Sequence, residues 1–180
     1  MKPSPFLRAR RGLLVIAAAL GLVFGVTAAP AQAASKTYDF TYTIRPQHAP
    51  GMCLEVADWS TADGAAVRQW PCTGQRNQMW HKVYDEGQST GPYWYMNAHS
   101  GKCLEIGGWA TNNGATANQW DCHYGANQTW YGNSGLIHPS FEYASSKCLE
   151  IEGWSQSAGA RARLWDCHYG ANQKFTFTFA

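Results

Sequence analysis

The sequence predicts an all-β chain folded as a pseudo-threefold barrel, and three observations carry that prediction. One unit occurs three times, as CLEVADWSTADGAAVRQWPCTGQRNQMW from Cys53, CLEIGGWATNNGATANQWDCHYGANQTW from Cys103 and CLEIEGWSQSAGARARLWDCHYGANQKF from Cys148. The starts are 50 and 45 residues apart, and each second cysteine (Cys72, Cys122, Cys167) follows the first by 19 positions. Nothing long recurs at helical period, whereas turn signals fall midway between the cysteines at Asp63-Gly64, Asn113-Gly114 and Ala158-Gly159. Units of this length build solenoids, propellers or closed arrays. A propeller typically needs at least four blades, so three β units closing on one another leave a barrel.

The first 33 residues read as a secretory leader and stand outside the fold. They carry Lys2, Arg8, Arg10 and Arg11, an apolar run from Leu13 to Val26, and an Ala31-Gln32-Ala33 cleavage pattern. The run has 14 residues, short of the roughly 20 that cross a hydrocarbon core. No membrane span is expected. Residues 34–180 are expected to form a single domain with repeats at about 38–88, 89–134 and 135–180, because no Pro/Gly/Ser-rich linker or charge run divides them. Strands are expected where aromatic and β-branched residues crowd, around Tyr93 to Tyr95, Leu136 to Phe141 and Phe175 to Phe179.

Removing the leader leaves ten basic and twelve acidic residues, a formal charge of −2. Nucleic-acid recognition needs a concentrated basic face, and this balance supplies none. All six cysteines lie in the exported part, which favours disulfides over metal thiolates. A repeat built from one folded unit pairs within itself, giving Cys53 with Cys72, Cys103 with Cys122 and Cys148 with Cys167. A loop of about 20 residues makes each bridge worth roughly 3 kcal/mol in the chain-entropy model. No C-x-x-C or H-E-x-x-H spacing supports a metal site, and no cofactor is implied.

Each unit ends in Gln-x-Trp or its variant: Gln78-Met79-Trp80, Gln128-Thr129-Trp130 and Gln173-Lys174-Phe175. With the cysteine pair inside each repeat, this pattern resembles the ricin B-type lectin domain, also grouped as carbohydrate-binding module family 13. The resemblance covers nearly all of residues 34–180 and implies a β-trefoil whose three lobes each form a shallow sugar site. A sugar presents hydroxyls at its rim and C–H groups on its faces, so a site needs a carboxylate or amide beside an aromatic ring.

Carried residue by residue, the resemblance implies Glu105, Trp120, Asn127 and Gln128 in lobe two, Glu150, Trp165, Asn172 and Gln173 in lobe three, and Glu55, Trp70, Asn77 and Gln78 in lobe one. The acid accepts sugar hydroxyls, the Trp stacks on the ring, the Asn adds hydrogen bonds and the Gln braces the site from behind. Some relatives also use a His after the second cysteine. Lobes two and three have it, as His123 and His168, while lobe one has Thr73; this ranks lobes two and three above lobe one. The acid is Glu throughout, where relatives commonly have Asp, and Arg68, Asn118 and Arg163 stand where many have Gln. An Arg there either pairs with the Glu of its own lobe or itself donates to hydroxyls or an acidic sugar.

Other readings stay open beside these. The three Glu could be structural acceptors for turn amides, whereas Trp80, Trp130 and Phe175 read as core anchors. Trp59, Trp109 and Trp154 either form a second stacking wall or cover the barrel flank. Asn127-Gln128-Thr129 fits a glycosylation sequon, but its place in the repeat makes it a coincidence of pattern. A glycosidase would set two carboxylates across one bond, with Asp121 or Asp166 as partner of Glu105 or Glu150, but strand alternation turns those Asp side chains to the other face. No G-x-S-x-G elbow is present.

The expected function is therefore a secreted, non-catalytic carbohydrate-binding protein acting alone or beside a separate secreted enzyme. The alternative is a trefoil that binds a protein such as a hydrolase through the segment from His81 to Pro92.

Overall fold

The computed structural model describes residues 35–88, 91–141 and 146–180. The expected leader lies outside the described residues. Twelve strands fall into three groups of four. The first group is β1 (Lys36–Pro46), β2 (Met52–Val56), β3 (Val67–Pro71) and β4 (Met79–Asp85). The second is β5 (Trp94–Asn97), β6 (Cys103–Ile106), β7 (Ala117–Trp120) and β8 (Trp130–Asn133). The third is β9 (Leu136–Pro139), β10 (Lys147–Ile151), β11 (Ala162–Asp166) and β12 (Phe175–Phe179). Among the described residues the only helical pieces are single 3₁₀ turns.

The outer two strands of each group build the barrel. Antiparallel ladders run β12–β1–β4–β5 and β8–β9. The Tyr93↔Trp130 bridge and the Phe175 N–H···O=C Gly135 bond, 2.8 Å, join the ladders into a ring. The inner two strands form the hairpins β2–β3, β6–β7 and β10–β11. These meet at one end through the bridges Ala66↔Asn118, Arg68↔Arg161 and Thr116↔Arg163. This is the β-trefoil. Turns occupy the three expected positions, where Gly64, Gly114 and Gly159 adopt φ of 78°, 90° and 90°.

Alternation along the hairpins explains both the core and the sites. In Cys-Leu-Glu-aliphatic the Leu and the aliphatic residue point one way and the Cys and Glu the other. Leu54, Leu104 and Leu149 with Val56, Ile106 and Ile151 enter the core, where they meet Trp80, Trp130 and Phe175, all at most 1 % exposed. Both indoles also donate to the hairpin backbone, Trp80 Nε1 to Leu54 O and Trp130 Nε1 to Leu104 O at 3.1 Å each. The disulfides are Cys53–Cys72, Cys103–Cys122 and Cys148–Cys167, one per repeat, with Cα separations of 5.0, 5.0 and 5.1 Å.

On the core-facing side of β3 and β7 sit two fully buried glutamines. Gln119 Nε2 donates to Ser60 O and Ala62 O of lobe one, both at 2.9 Å, and Gln69 Nε2 to Ser155 O and Ser157 O of lobe three, 2.7 and 2.9 Å. Lobes one and two thus each hold a neighbour's turn. At the third such place stands Leu164, which can only pack, so the turn after Trp109 lacks this side-chain clamp.

The segment from His81 to Pro92 differs from expectation. Its first half, to Asp85, belongs to β4 and pairs with both β1 and β5, so the connection between lobes is residues 86–93. In the Lys82-Val83-Tyr84 run Val83 pairs with both neighbours, Lys82 with β5 and Tyr84 with β1.

Gln119→Leu should cost about 2 kcal/mol in urea unfolding, since two partly buried carbonyls lose their donor. The ionic contacts of two lysines add a pH dependence. Lys102 bonds Asp63 (2.8 Å) and Asp121, and Lys147 bonds Asp166 (2.5 Å). These lysines hold the Asp63 and Asp166 carboxyls below the ordinary value of 3.8. Because the folded-state values are depressed, the contribution is full above about pH 4 and is lost as pH falls through them. The gap in urea midpoint between the wild type and an Asp63→Asn, Asp166→Asn variant should therefore be larger at about pH 6 than at about pH 2.5.

Candidate functional site

A shallow cavity lies on the outer face of each hairpin. Register dictates its composition: Glu55 is opposite Arg68 and Cys53 opposite Trp70, Glu105 opposite Asn118 and Cys103 opposite Trp120, Glu150 opposite Arg163 and Cys148 opposite Trp165. Directly opposed residues share a face with Cβ atoms about 5 Å apart. Carboxylate, its cross-strand partner and the Trp are therefore neighbours by construction. The cavities measure about 190, 300 and 200 Å³ in lobes one, two and three.

The floor is a buried carboxylate held by amides. Glu55, Glu105 and Glu150 are 3, 4 and 2 % exposed. In lobe two, Glu105 Oε2 accepts from Asn127 Nδ2 (3.3 Å) and Gln128 Nε2 (3.2 Å). Asn77 and Gln78 bind Glu55 at 3.2 and 3.1 Å, and Asn172 and Gln173 bind Glu150 at 3.2 and 3.3 Å. The Glu residues are thus structural acceptors, although for side-chain amides rather than turn N–H groups. Each Asn Nδ2 also donates to the carbonyl of the next hairpin residue, and its buried Oδ1 has no protein partner in any lobe. Asn127 is 2 % exposed with its amide committed, so the sequon is inaccessible in the folded chain.

Each Gln braces the cavity from behind. Gln128 Oε1 accepts from the His123 and Tyr124 amides (3.0 and 3.1 Å), while Nε2 reaches Glu105 and Asp121 O (2.9 Å). Gln173 does the same for His168, Tyr169 and Asp166 O, and Gln78 for Thr73 and Pro71 O.

The walls are aromatic. Trp59, Trp109 and Trp154, which the sequence left between pocket and flank, line the three cavities and are 46, 54 and 52 % exposed. All three adopt left-handed φ of 55–56°, unusual for so bulky a residue. Strain of this kind persists only where surroundings enforce it. Here Trp109 lies on the His123 ring (6.4 Å, 21°) and Trp154 on His168 (5.8 Å, 22°). A Cβ on Gly170 would come within 2.5 Å of Trp154, and one on Gly125 within 3.2 Å of Trp109, which explains the Gly in His-Tyr-Gly-Ala-Asn-Gln. In lobe one Gln75 stands there, and Trp59 instead packs edge-on to His99.

The histidines carry an assigned tautomer. The Gly125 and Gly170 amides donate to Nδ1 of His123 and His168 at 3.1 and 3.2 Å, which leaves the proton on Nε2. That nitrogen faces the carboxylate, at 3.6 Å from Glu105 Oε2 and 3.4 Å from Glu150 Oε2.

The lobes diverge at the residue opposite the Glu. Arg68 Nε donates to Glu55 Oε1 and Arg163 Nε to Glu150 Oε1, both at 3.0 Å, and the guanidinium groups lie 4.5 and 4.3 Å over the Trp70 and Trp165 rings. In these lobes Arg covers the ring that the sequence assigned to sugar stacking. Lobe two has Asn118, whose Oδ1 is turned to Arg161 of lobe three (3.1 Å). Among the described residues no protein donor reaches Glu105 Oε1 and no cation lies over Trp120. The sequence missed this difference in consequence though not in composition. Its signal was the Glu–Arg register, which becomes visible once Cys53 and Trp70 are placed opposite each other.

Asp121 and Asp166 are bound to Lys102 and to Lys147 with Asn113, away from the cavities. His138 Nδ1 lies 3.5 and 3.6 Å from Cys148 and Cys167 Sγ, but both sulfurs are in the disulfide and neither is a thiolate that could hold a metal.

Gln128→Glu keeps the acceptor and the shape but loses two donors and sets a second carboxylate against Glu105. It should cost more than about 2 kcal/mol in urea unfolding at neutral pH. Like charges raise the pKa of the pair, so the loss should shrink as pH falls and one carboxyl takes up a proton.

Residues 94–179 match the ricin-type β-trefoil lectin domain model, and residues 32–96 match the ricin-type β-trefoil lectin domain-like model. A comparison with curated protein sequences finds no match. Among solved structures, the designed threefold-symmetric protein ThreeFoil is 31 % identical, with a TM-score of 0.69, over 78 % of this chain and 99 % of its own. An exo-β-1,3-galactanase from Clostridium thermocellum is 24 % identical, with a TM-score of 0.69; the matched part is 78 % of this chain but only 30 % of the enzyme. The C-half of an earthworm R-type lectin, solved with GalNAc, is 17 % identical over 79 % of this chain and all of its own, with a TM-score of 0.60. Three copies of the disulfide hairpin, the Gln-anchored carboxylate and these two adjoining matches place the chain in the ricin-type β-trefoil lectin domain family.

Proposed function

We propose that the chain is an exported carbohydrate-binding protein, residues 34–180 after removal of the leader, and that lobe two is its site for neutral sugars. The observation that carries this reading is Glu105 Oε1, a carboxylate oxygen without a protein partner among the described residues, on the floor of a cavity walled by Trp109 and Trp120. A sugar hydroxyl donates to that oxygen, and the apolar face of the ring packs on an exposed indole. His123 Nε2–H offers a donor for a neighbouring hydroxyl, while the buried Asn127 amide positions the carboxylate. The buried amides hold the carboxylate rigid, so little ordering entropy is lost on binding.

Family membership supports the reading, as does the earthworm lectin solved with GalNAc. The sites are binding sites rather than catalytic ones. Asp121 and Asp166 are held by lysines, Asp58 of lobe one is paired with Arg68, and the three Glu belong to separate lobes. With more than one lobe engaged, a polymer would be held by avidity beyond that of a single shallow pocket.

The test is a glycan array with pull-down on xylan, cellulose and chitin, followed by titration of the best neutral ligand. Glu105→Gln and Trp120→Ala should each weaken binding at least about tenfold while circular dichroism stays unchanged. Neutral-sugar binding that survives both substitutions would sink the assignment to lobe two.

A further inference from the structure

The lobes are of two chemical kinds at the residue opposite the Glu, Asn118 in lobe two and Arg in lobes one and three. Glu150 is fully committed, Oε1 to Arg163 and Oε2 to Asn172, Gln173 and His168. Unlike Glu105, it has no oxygen without a protein donor. Arg163 uses only Nε for that pair. Among the described residues its two terminal nitrogens have no protein partner, and the guanidinium plane is fixed between the carboxylate and the Trp165 face while it lines the cavity. A planar guanidinium with both Nη groups open is a two-pronged donor for a carboxylate.

Lobe one shows what would close such a site. Arg68 has the same Nε pair and the same ring beneath it, but Asp58 Oδ1 takes its Nη2 at 2.9 Å and adds a negative charge at the cavity mouth. The equivalent residue of lobe three is Gly153, with φ of 58° against 54° for Asp58. Lobe two has no Arg. Lobe three alone combines a neutralised floor with an open guanidinium. The remaining acids of its hairpin are turned elsewhere, Asp166 to Lys147 and Glu152 to the Arg161 amide.

We infer that the lobe-three cavity binds a carboxylate-bearing sugar, a hexuronate or a sialic acid, through the Nη1 and Nη2 groups of Arg163. This rests on the carbohydrate-binding reading and assigns the substrate class of one of its sites. Such a chain would read a mixed polymer or glycan, with neutral residues at lobe two and acidic ones at lobe three.

The experiment follows the indole and arginine Nε–H signals by NMR while the oxidised protein is titrated at neutral pH. The probes are trigalacturonate, its methyl ester, sialyllactose and the best neutral sugar. We expect trigalacturonate, sialyllactose or both to shift the Arg163 and Trp165 signals, with affinity falling as salt rises and at least tenfold weaker binding of the methyl ester. Gly153→Asp copies lobe one at a position where a Cβ meets nothing within 4 Å. It should weaken the acidic probe at least tenfold and leave the Trp109 and Trp120 response to neutral sugar unchanged. Asp58→Gly should create a second acidic site in lobe one. Equal binding of acid and ester, or an acidic response indifferent to Gly153→Asp, overturns the inference. Neutral binding at lobe two with no acidic response at lobe three overturns it while the carbohydrate reading stands. An acidic response at lobe three with none to neutral sugar leaves it standing and removes the lobe-two assignment, and no response to any sugar removes both.

Discussion

One buried amide in each lobe holds the rest of the site together. Gln78, Gln128 and Gln173 each join the turn after the second cysteine, the carbonyl before that cysteine and the carboxylate of the opposing strand. An amide is the one side chain that can accept on one side and donate twice on the other. The adjoining Trp80 or Trp130 ties the same segment to the hairpin from the core side. Floor, turn and core are therefore one hydrogen-bonded body. The disulfide closes the same loop covalently, which is why repeats of so few residues can each carry a formed cavity.

The second constraint is strand register. Once the cysteine is opposite the Trp, the Glu must be opposite the residue two places before that Trp, and the identity of this residue decides the chemistry of the lobe. Arg neutralises the acid and covers the ring; Asn leaves both open. Within the frame shared by the three lobes, this residue and the one five places after the first cysteine, Asp58 or Gly153, together decide whether a lobe offers a hydroxyl acceptor or an open guanidinium. The frame is indifferent to the exchange, because the floor is held by the Asn and Gln amides and not by the Arg. The threefold architecture thus allows three differently tuned cavities without three different folds.

The left-handed tryptophans show the same separation of frame and tuning. Their backbone conformation is common to the three lobes, whereas the surface that supports the ring is a His and a Gly in lobes two and three and a neighbouring lobe's His99 in lobe one. Inter-lobe clamps are also unequal, with Gln69 and Gln119 each fastening a turn of the adjacent lobe where Leu164 can only pack. The lobe whose turn lacks a clamp is lobe two, which also has the largest of the three hairpin cavities.

The sequence by itself determined the fold class, the repeat, the disulfide pairing and the candidates Glu105, Trp120 and Asn127 with their counterparts. It could do so because each is a local pattern: a cysteine spacing, a turn dipeptide, an alternation within one strand. It also raised both fates of Arg68 and Arg163, but could not choose between them. Only the tertiary structure decided that the arginines pair with Glu55 and Glu150 and cover Trp70 and Trp165, and that Asp58 blocks a terminal nitrogen which Gly153 leaves open. It likewise decided that Trp59, Trp109 and Trp154 face the cavities, and that Gln69 and Gln119 reach carbonyls of other lobes. These outcomes join residues from two strands, a turn or two lobes. The free energy of such contacts depends on register and on which competing partner lies within reach, neither of which is written in the order of residues along one strand.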